Sequence, residues 1–191
     1  MKQDTKKAII EAAAPLIYRQ GFHRTGLKEI LDAAGVPKGS FYFYFKSKED
    51  FGLAVIDHYL ENLLATRSHV LADGAPPLER LRAVFAGRRD QREMNGCEGG
   101  CPLGNLAQEM SDLSPRMREH LQGALASIAK VFAQLLAQAR DRGDLPQDFD
   151  PDQTAGFILD AWEGALLRMK TEKSVAPLDR FIHFVFNKIL V

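Results

Sequence analysis

Two groups of residues in this 191-residue chain have the types and spacing to do chemistry. The first is a pair of thiols, Cys97 and Cys101, the only cysteines in the sequence. A thiol at the first turn of a helix feels the positive end of the helix dipole, which lowers its pKa and raises the reactive thiolate fraction. Cys101, followed by Pro102, has that position ahead of a short helical stretch. Cys97, in the glycine-rich loop 95–100, could resolve a sulfenic acid at Cys101 into a disulfide. The competing reading is that both thiols are inert, Cys101 serving as a small apolar residue under the helix. Their C-x3-C spacing is wrong for the C-x2-C of common zinc knuckles and His120 is the only imidazole near them, so no metal site is expected. No phosphate loop of P-loop or dinucleotide type occurs, so no cofactor is expected either.

The second group is Lys38-Gly39-Ser40-Phe41-Tyr42-Phe43-Tyr44-Phe45-Lys46-Ser47-Lys48, five consecutive rings between lysines. One helix face cannot hide five rings. Phe41 and Phe45, four apart, can pack inward together, which turns Tyr42, Phe43 and Tyr44 wholly or partly outward. The charge around them is uneven although the total is zero: residues 1–48 carry nine Lys or Arg against four acids, +5, and the remainder carries −5. Attraction to a polyanion depends on the local face, because screening limits it to about 10 Å at ordinary salt. The basic end is therefore suited to an anionic partner.

The elements that must position these groups read as helices almost end to end, with no strand of alternating polarity. The expected fold is all-α with about nine helices. The first covers 5–20, with Ile9, Ala12, Ala13, Leu16 and Ile17 on one face and Gly21 as its stop; Pro15 inside it predicts a bend. Thr25 is the expected cap of a second helix over 26–34, and Lys38 opens a third that reaches about Phe45. The link Ala34-Gly35-Val36-Pro37 has the length and punctuation of a helix-turn-helix, Gly35 supplying the positive φ of the tight turn. A long fourth helix from Lys48 breaks at 73–77, a fifth covers 78–91, and a short sixth covers 103–110. Ser114-Pro115 and Asp150-Pro151 are start signals for helices reaching Arg142 and about Lys173. The last covers 177–190.

Gly21-Phe22, Thr25, Leu27-Lys28-Glu29-Ile30, Ala34-Gly35-Val36 and the segment from Lys38 to Glu49 together resemble the TetR-type bacterial transcriptional regulators, over residues 5–50. Two positions depart from that pattern: Gly26 replaces a hydroxyl residue beside Thr25, and Pro15 replaces a helix former. The resemblance implies that the third helix enters the major groove of a double-stranded DNA operator, with Lys38, Gly39, Ser40, Phe43 and Tyr44 as readers. It implies phosphate contacts from Tyr42 and Lys48, and from Thr25 and Lys28 on the second helix. Residues 1–47 would then be the DNA-binding domain, and 48–191 the ligand-binding and dimerisation domain.

The last two helices, 151–173 and 177–190, are apolar on more than one side and need a second partner. This agrees with the resemblance, in which they pair across a two-fold axis, and Phe181 and Val185 are the expected seam of a homodimer. Such a dimer reads an inverted repeat. His58, Tyr59, Asn62, Asn105, Glu109, Trp162 and Glu163 could line a small-molecule pocket, or be packed residues. Gly100-Cys101-Pro102-Leu103-Gly104-Asn105 through Ser114 further resembles a branch of the family that includes the N-ethylmaleimide reductase repressor. In that branch a cysteine at this turn responds to electrophiles, and the same resemblance makes Lys170 the candidate nearby cation.

Two function classes follow. The favoured one is a cytoplasmic DNA-binding regulator, most simply a repressor, released by a small molecule or by an oxidant or electrophile. The rival is a cytoplasmic thiol-redox enzyme using Cys97 and Cys101, which leaves the basic amino-terminal end unexplained. With no run of 18 apolar residues and no signal-peptide pattern, no membrane partner is expected.

Overall fold

The computed structural model describes residues 2–72 and 74–191, with side chains for 5–65 and 74–191. Among the described residues there are nine α-helices and no strand: α1 Lys2–Gln20, α2 Leu27–Ala34, α3 Lys38–Tyr44, α4 Lys48–Ala72, α5 Pro77–Met94, α6 Pro102–Met110, α7 Pro115–Asp141, α8 Pro151–Glu172 and α9 Ala176–Phe184. Helix α1 runs through Pro15. The break between α4 and α5 stands where expected, although Asp73, its first residue, lies outside the described residues.

Local chemistry accounts for most of the boundaries. Gly35 closes α2 at φ 64°, its amide bonded to the Asp32 carbonyl. Ser114 Oγ accepts the Met117 amide at 3.1 Å, and Asp150 Oδ1 accepts those of Asp152 and Gln153 at 3.1 and 3.0 Å, so both expected caps are made. Two expectations fail. Thr25 does not cap α2: Gly26 occupies that position, and its amide is met from inside the helix by Glu29 Oε2 at 2.8 Å. The last helix does not stay α to Leu190, because after Phe184 it widens into a π turn over Val185–Ile189. The Leu190 amide reaches back five residues to the Val185 carbonyl, which brings Leu190 onto the side of Val185; both are buried.

The chain forms two compact units. One takes the chain through Leu63 together with Pro102–Ala124. Its core includes Ile9, Ala13, Ile30, Val55 and Ile56, all fully buried, and a ring cluster in which Phe51 of α4 lies 5.6 Å from Phe41 and 5.1 Å from Phe45. That cluster carries the unit across residue 47, since α3 cannot bury its inward rings without α4.

The other unit is Leu64–Cys101 with Leu125–Val191. Phe85 of α5, fully buried, is its centre, with ring centroids of Phe132, Trp162 and Phe181 at 5.2, 4.9 and 4.9 Å. Arg89 ties α5 to α9 through Asp179 Oδ1 at 2.8 Å and also bonds Glu93, and these carboxylates push its pKa up. Phe181 and Val185 are 7% and 2% exposed. Both face their own core, which corrects their expected place in a dimer seam. The apolar groups that α8 and α9 leave outside are Phe157, Leu167 and Phe184.

Candidate nucleic-acid interface

Helix α3 is two-faced, as its five rings require. Phe41 is fully buried and Phe45 nearly so, whereas Tyr42 and Phe43 are 56% and 63% exposed. Tyr44 is half-buried, its ring edge-on to Phe43 at 5.0 Å. Lys38 and Gly39 are exposed in the first turn and Ser40 is half-exposed. A Cβ added at Gly39 would meet nothing within 4 Å, so no neighbour in the chain requires glycine there. The bare backbone, the lysine and the outward rings form one surface suited to close approach of an anionic, stackable partner.

The lead-in to helix α2 is held by polar contacts. Thr25 is fully buried; its hydroxyl donates to the Gly21 carbonyl at 2.6 Å and accepts from Gln20 Nε2 at 3.3 Å. Gln20 also donates to Glu29. The Gly26 amide, and after it Gln20, hold the Glu29 carboxyl below its usual range. Lys28 is exposed. Thr25 thus braces the turn, and its hydroxyl proton is already engaged.

Lys48 is likewise turned toward the chain. Its ammonium donates to the His23 carbonyl at 3.1 Å and stands 4.9 Å from the centre of the Phe22 ring. Burial pulls its pKa below that of an ordinary lysine, with the nearby Glu109 and Glu29 charges opposing. Phe22 fits closely against α4 at Gly52: a Cβ there would lie 2.8 Å from Phe22 Cζ, and 3.1 Å from Cε of Met117 on α7.

Two carboxylate contacts tie residues 102–124 to the same base. Glu109 of α6 accepts the Phe22 amide at 2.8 Å and the His23 amide at 2.7 Å. At the start of α7, Ser114 Oγ donates to Glu49 Oε1 at 2.5 Å, and Arg116 bridges Glu49 and Asp50 at 3.0 Å each. Sequence reasoning placed Ser114 at a helix start and grouped Glu109 with a pocket, and it missed the contacts that both make to the amino-terminal part of the chain. A glycine inside a helical pattern was the signal available for Gly52.

The other candidate residues divide between the units. His58, Tyr59, Asn62 and Asn105 belong to the first. Asn62 bonds His58 Nε2 at 3.0 Å, and Tyr59 donates its hydroxyl to the Ala14 carbonyl at 2.6 Å, a buried bond that makes it a strut. Burial raises the Tyr59 pKa. Trp162, 3% exposed, packs on Phe85 and Phe181 in the second unit. Glu163 and Lys170 are half-buried on α8. Cys97 and Cys101 are buried and not joined in a disulfide, Cys97 at φ 58° in the loop and Cys101 immediately before the first residue of α6. Among the described residues, no three of His, Cys, Asp or Glu gather where they could hold a metal, and no helix is long and apolar enough to cross a membrane.

Residues 9–55 match the family model of bacterial regulatory proteins, tetR family, and residues 77–185 match the tetracyclin repressor-like C-terminal domain. The chain is 39% identical to the transcriptional regulator AcuR of Cereibacter sphaeroides, over 94% of this chain and 84% of that protein. It is 34% identical to the HTH-type transcriptional repressor DhaR of a Mycobacterium species, over 97% and 92%. The crystal structure of the reduced form of Escherichia coli NemR superimposes with a TM-score of 0.87 at 31% identity, covering 96% of this chain and 97% of that one.

Proposed function

The chain belongs to the tetR family of bacterial regulatory proteins and is a DNA-binding transcriptional regulator, and from that premise we propose that it is a repressor that grips an inverted-repeat operator as a homodimer and is released by a small molecule or by an oxidant or electrophile. The observation that carries this reading is α3, with Lys38, Gly39, Tyr42 and Phe43 exposed on a helix whose opposite side is anchored by the fully buried Phe41. In this reading Lys38, Gly39, Ser40, Phe43 and Tyr44 meet base edges, while Tyr42 and Lys28 meet phosphates. Thr25 and Lys48 act from behind, holding the turn that sets α2. DNA reading belongs to residues 1–47, and effector binding and dimerisation to 48–191. Relatives named as transcriptional repressors or regulators support this class, and none of them favours the thiol enzyme.

A mobility shift with the DNA upstream of the chain's own reading frame tests it. Lys38→Ala is expected to weaken operator binding by about 1–3 kcal/mol, the usual worth of a base-edge contact, and Tyr42→Ala to weaken it as well. Both side chains are exposed, so the melting temperature should hold. Unchanged affinity in both variants would overturn the assignment of α3.

Release by oxidant is favoured by one feature, the place of Cys101 directly ahead of α6 with its thiol outside any disulfide. The E. coli relative NemR has been crystallised in a reduced form. Hypochlorite would oxidise the Cys101 thiolate to a sulfenic acid and leave as chloride; the Cys97 thiol would then condense with it, losing water. Lys170 is the proposed cation for the thiolate. Wild type is expected to leave the operator on treatment with hypochlorite, a quinone or methylglyoxal, and Cys101→Ser to stay bound. Equal release in both, or in neither, removes the thiol and leaves the regulator reading intact.

A further inference from the structure

Four main-chain groups of the segment between α1 and α2 are held by side chains. The Gly21 carbonyl takes the Thr25 hydroxyl, the His23 carbonyl takes the Lys48 ammonium, and the adjacent amides of Phe22 and His23 both donate to the Glu109 carboxylate. The last pair comes from a different part of the chain, 86 and 87 residues away. The fit is close: Gly21 has φ +90°, and a Cβ there would stand 3.0 Å from Glu109 Oε1. The Phe22 ring is fixed at the same time in the notch left by Gly52.

We propose that Glu109 is a positioning residue for DNA reading, its carboxylate clasping the Phe22 and His23 amides so that the turn delivers α2 and α3 at the angle an operator requires. The inference rests on the DNA-binding reading above. A carboxylate is suited to the task because two parallel N–H donors need two acceptor oxygens, and hydrogen bonds to a charged acceptor are about twice as strong as neutral ones. An amide in its place offers one oxygen and sets its own N–H groups against the second donor. Among the described residues Glu109 is the partner found for these two amides, and α2 begins four residues after His23, so play in the turn passes directly into α2 and α3.

Glu109→Gln and Glu109→Asp, with Lys38→Ala as reference, decide the matter by operator titration across a salt series, thermal melting, and hydrogen exchange at the Phe22 and His23 amides. Glu109→Gln is expected to weaken operator binding about tenfold, as when only a tenth of the molecules hold the competent placement. The slope of affinity against salt should stay that of wild type, because no phosphate contact is removed. The two amides should exchange faster, with the melting temperature nearly kept. Glu109→Asp, one methylene short, should fall between, and it carries the test if the glutamine variant does not fold. Wild-type affinity in a folded variant while Lys38→Ala binds weakly overturns the clasp alone; wild-type affinity in both Lys38→Ala and Tyr42→Ala overturns the reading beneath it. Weakened binding with both amides still protected also overturns the clasp.

Discussion

Phe157→Asp and Phe184→Asp are each expected to yield a folded monomer that no longer binds its operator tightly. The apolar face argued from the sequence is real, but its members are Phe157, Leu167 and Phe184, at 54%, 46% and 57% exposure. On α8, positions 157, 164 and 167 are separated by seven and three, so they share one stripe. Gly164 lies in its middle and a Cβ there would meet nothing within 4 Å, which leaves room for a partner helix to come close. A carboxylate on this stripe is harmless in a monomer, where water solvates it, and costs several kcal/mol once buried without a partner. A dimer on an inverted repeat gains its second half-site at an effective concentration on the order of millimolar, so losing the partner removes roughly 100-fold or more of operator affinity. Sedimentation velocity at micromolar protein checks the first half of the claim and operator titration the second. Variants that remain dimeric would place the seam elsewhere.

What the sequence made legible is what short-range chemistry decides. Gly35, Ser114-Pro115 and Asp150-Pro151 punctuate helices through bonds spanning only a few residues, and each does so in the structure. The aromatic run of α3 could be sorted into inward and outward rings because the helical period alone separates 41 and 45 from 42 and 43. Family membership was legible for a related reason, since residues 9–55 carry the motif in one stretch. What stayed hidden depends on partners distant in sequence. Thr25 is a cap by residue type, yet its hydroxyl found the Gly21 carbonyl first. Glu109 reads equally well as a pocket carboxylate or a clasp until the amides of Phe22 and His23 are placed against it. Phe181 and Phe184 belong to the same apolar helix, and only the packing of Phe85 and Trp162 tells that the first is core and the second is not.

That packing makes Phe85→Ala the substitution with the largest expected effect on stability. Phe85 is fully buried and its ring stands within 5.2 Å, centroid to centroid, of Phe132, Trp162 and Phe181, so removal opens a cavity between α5, α7, α8 and α9. A buried Phe→Ala change costs about 3–5 kcal/mol, and in a chain of this size that lowers the melting temperature by roughly 6–20 °C. Phe85→Leu refills part of the volume and should lose much less. Trp162 is the only tryptophan in the sequence and lies 4.9 Å from the Phe85 ring, so it reports on the cavity directly. Its fluorescence in the folded Phe85→Ala protein should shift to the red, and urea unfolding followed by the same signal should show the lost stability. The effect reaches function through geometry: α8 and α9 carry this core on one side and Phe157, Leu167 and Phe184 on the other. A loosened core therefore leaves the proposed pairing stripe less well ordered, and in that reading the dimer of Phe85→Ala should dissociate at higher protein concentration than wild type. Wild-type melting with unshifted Trp162 emission would mean that Phe85 does not hold these four helices together.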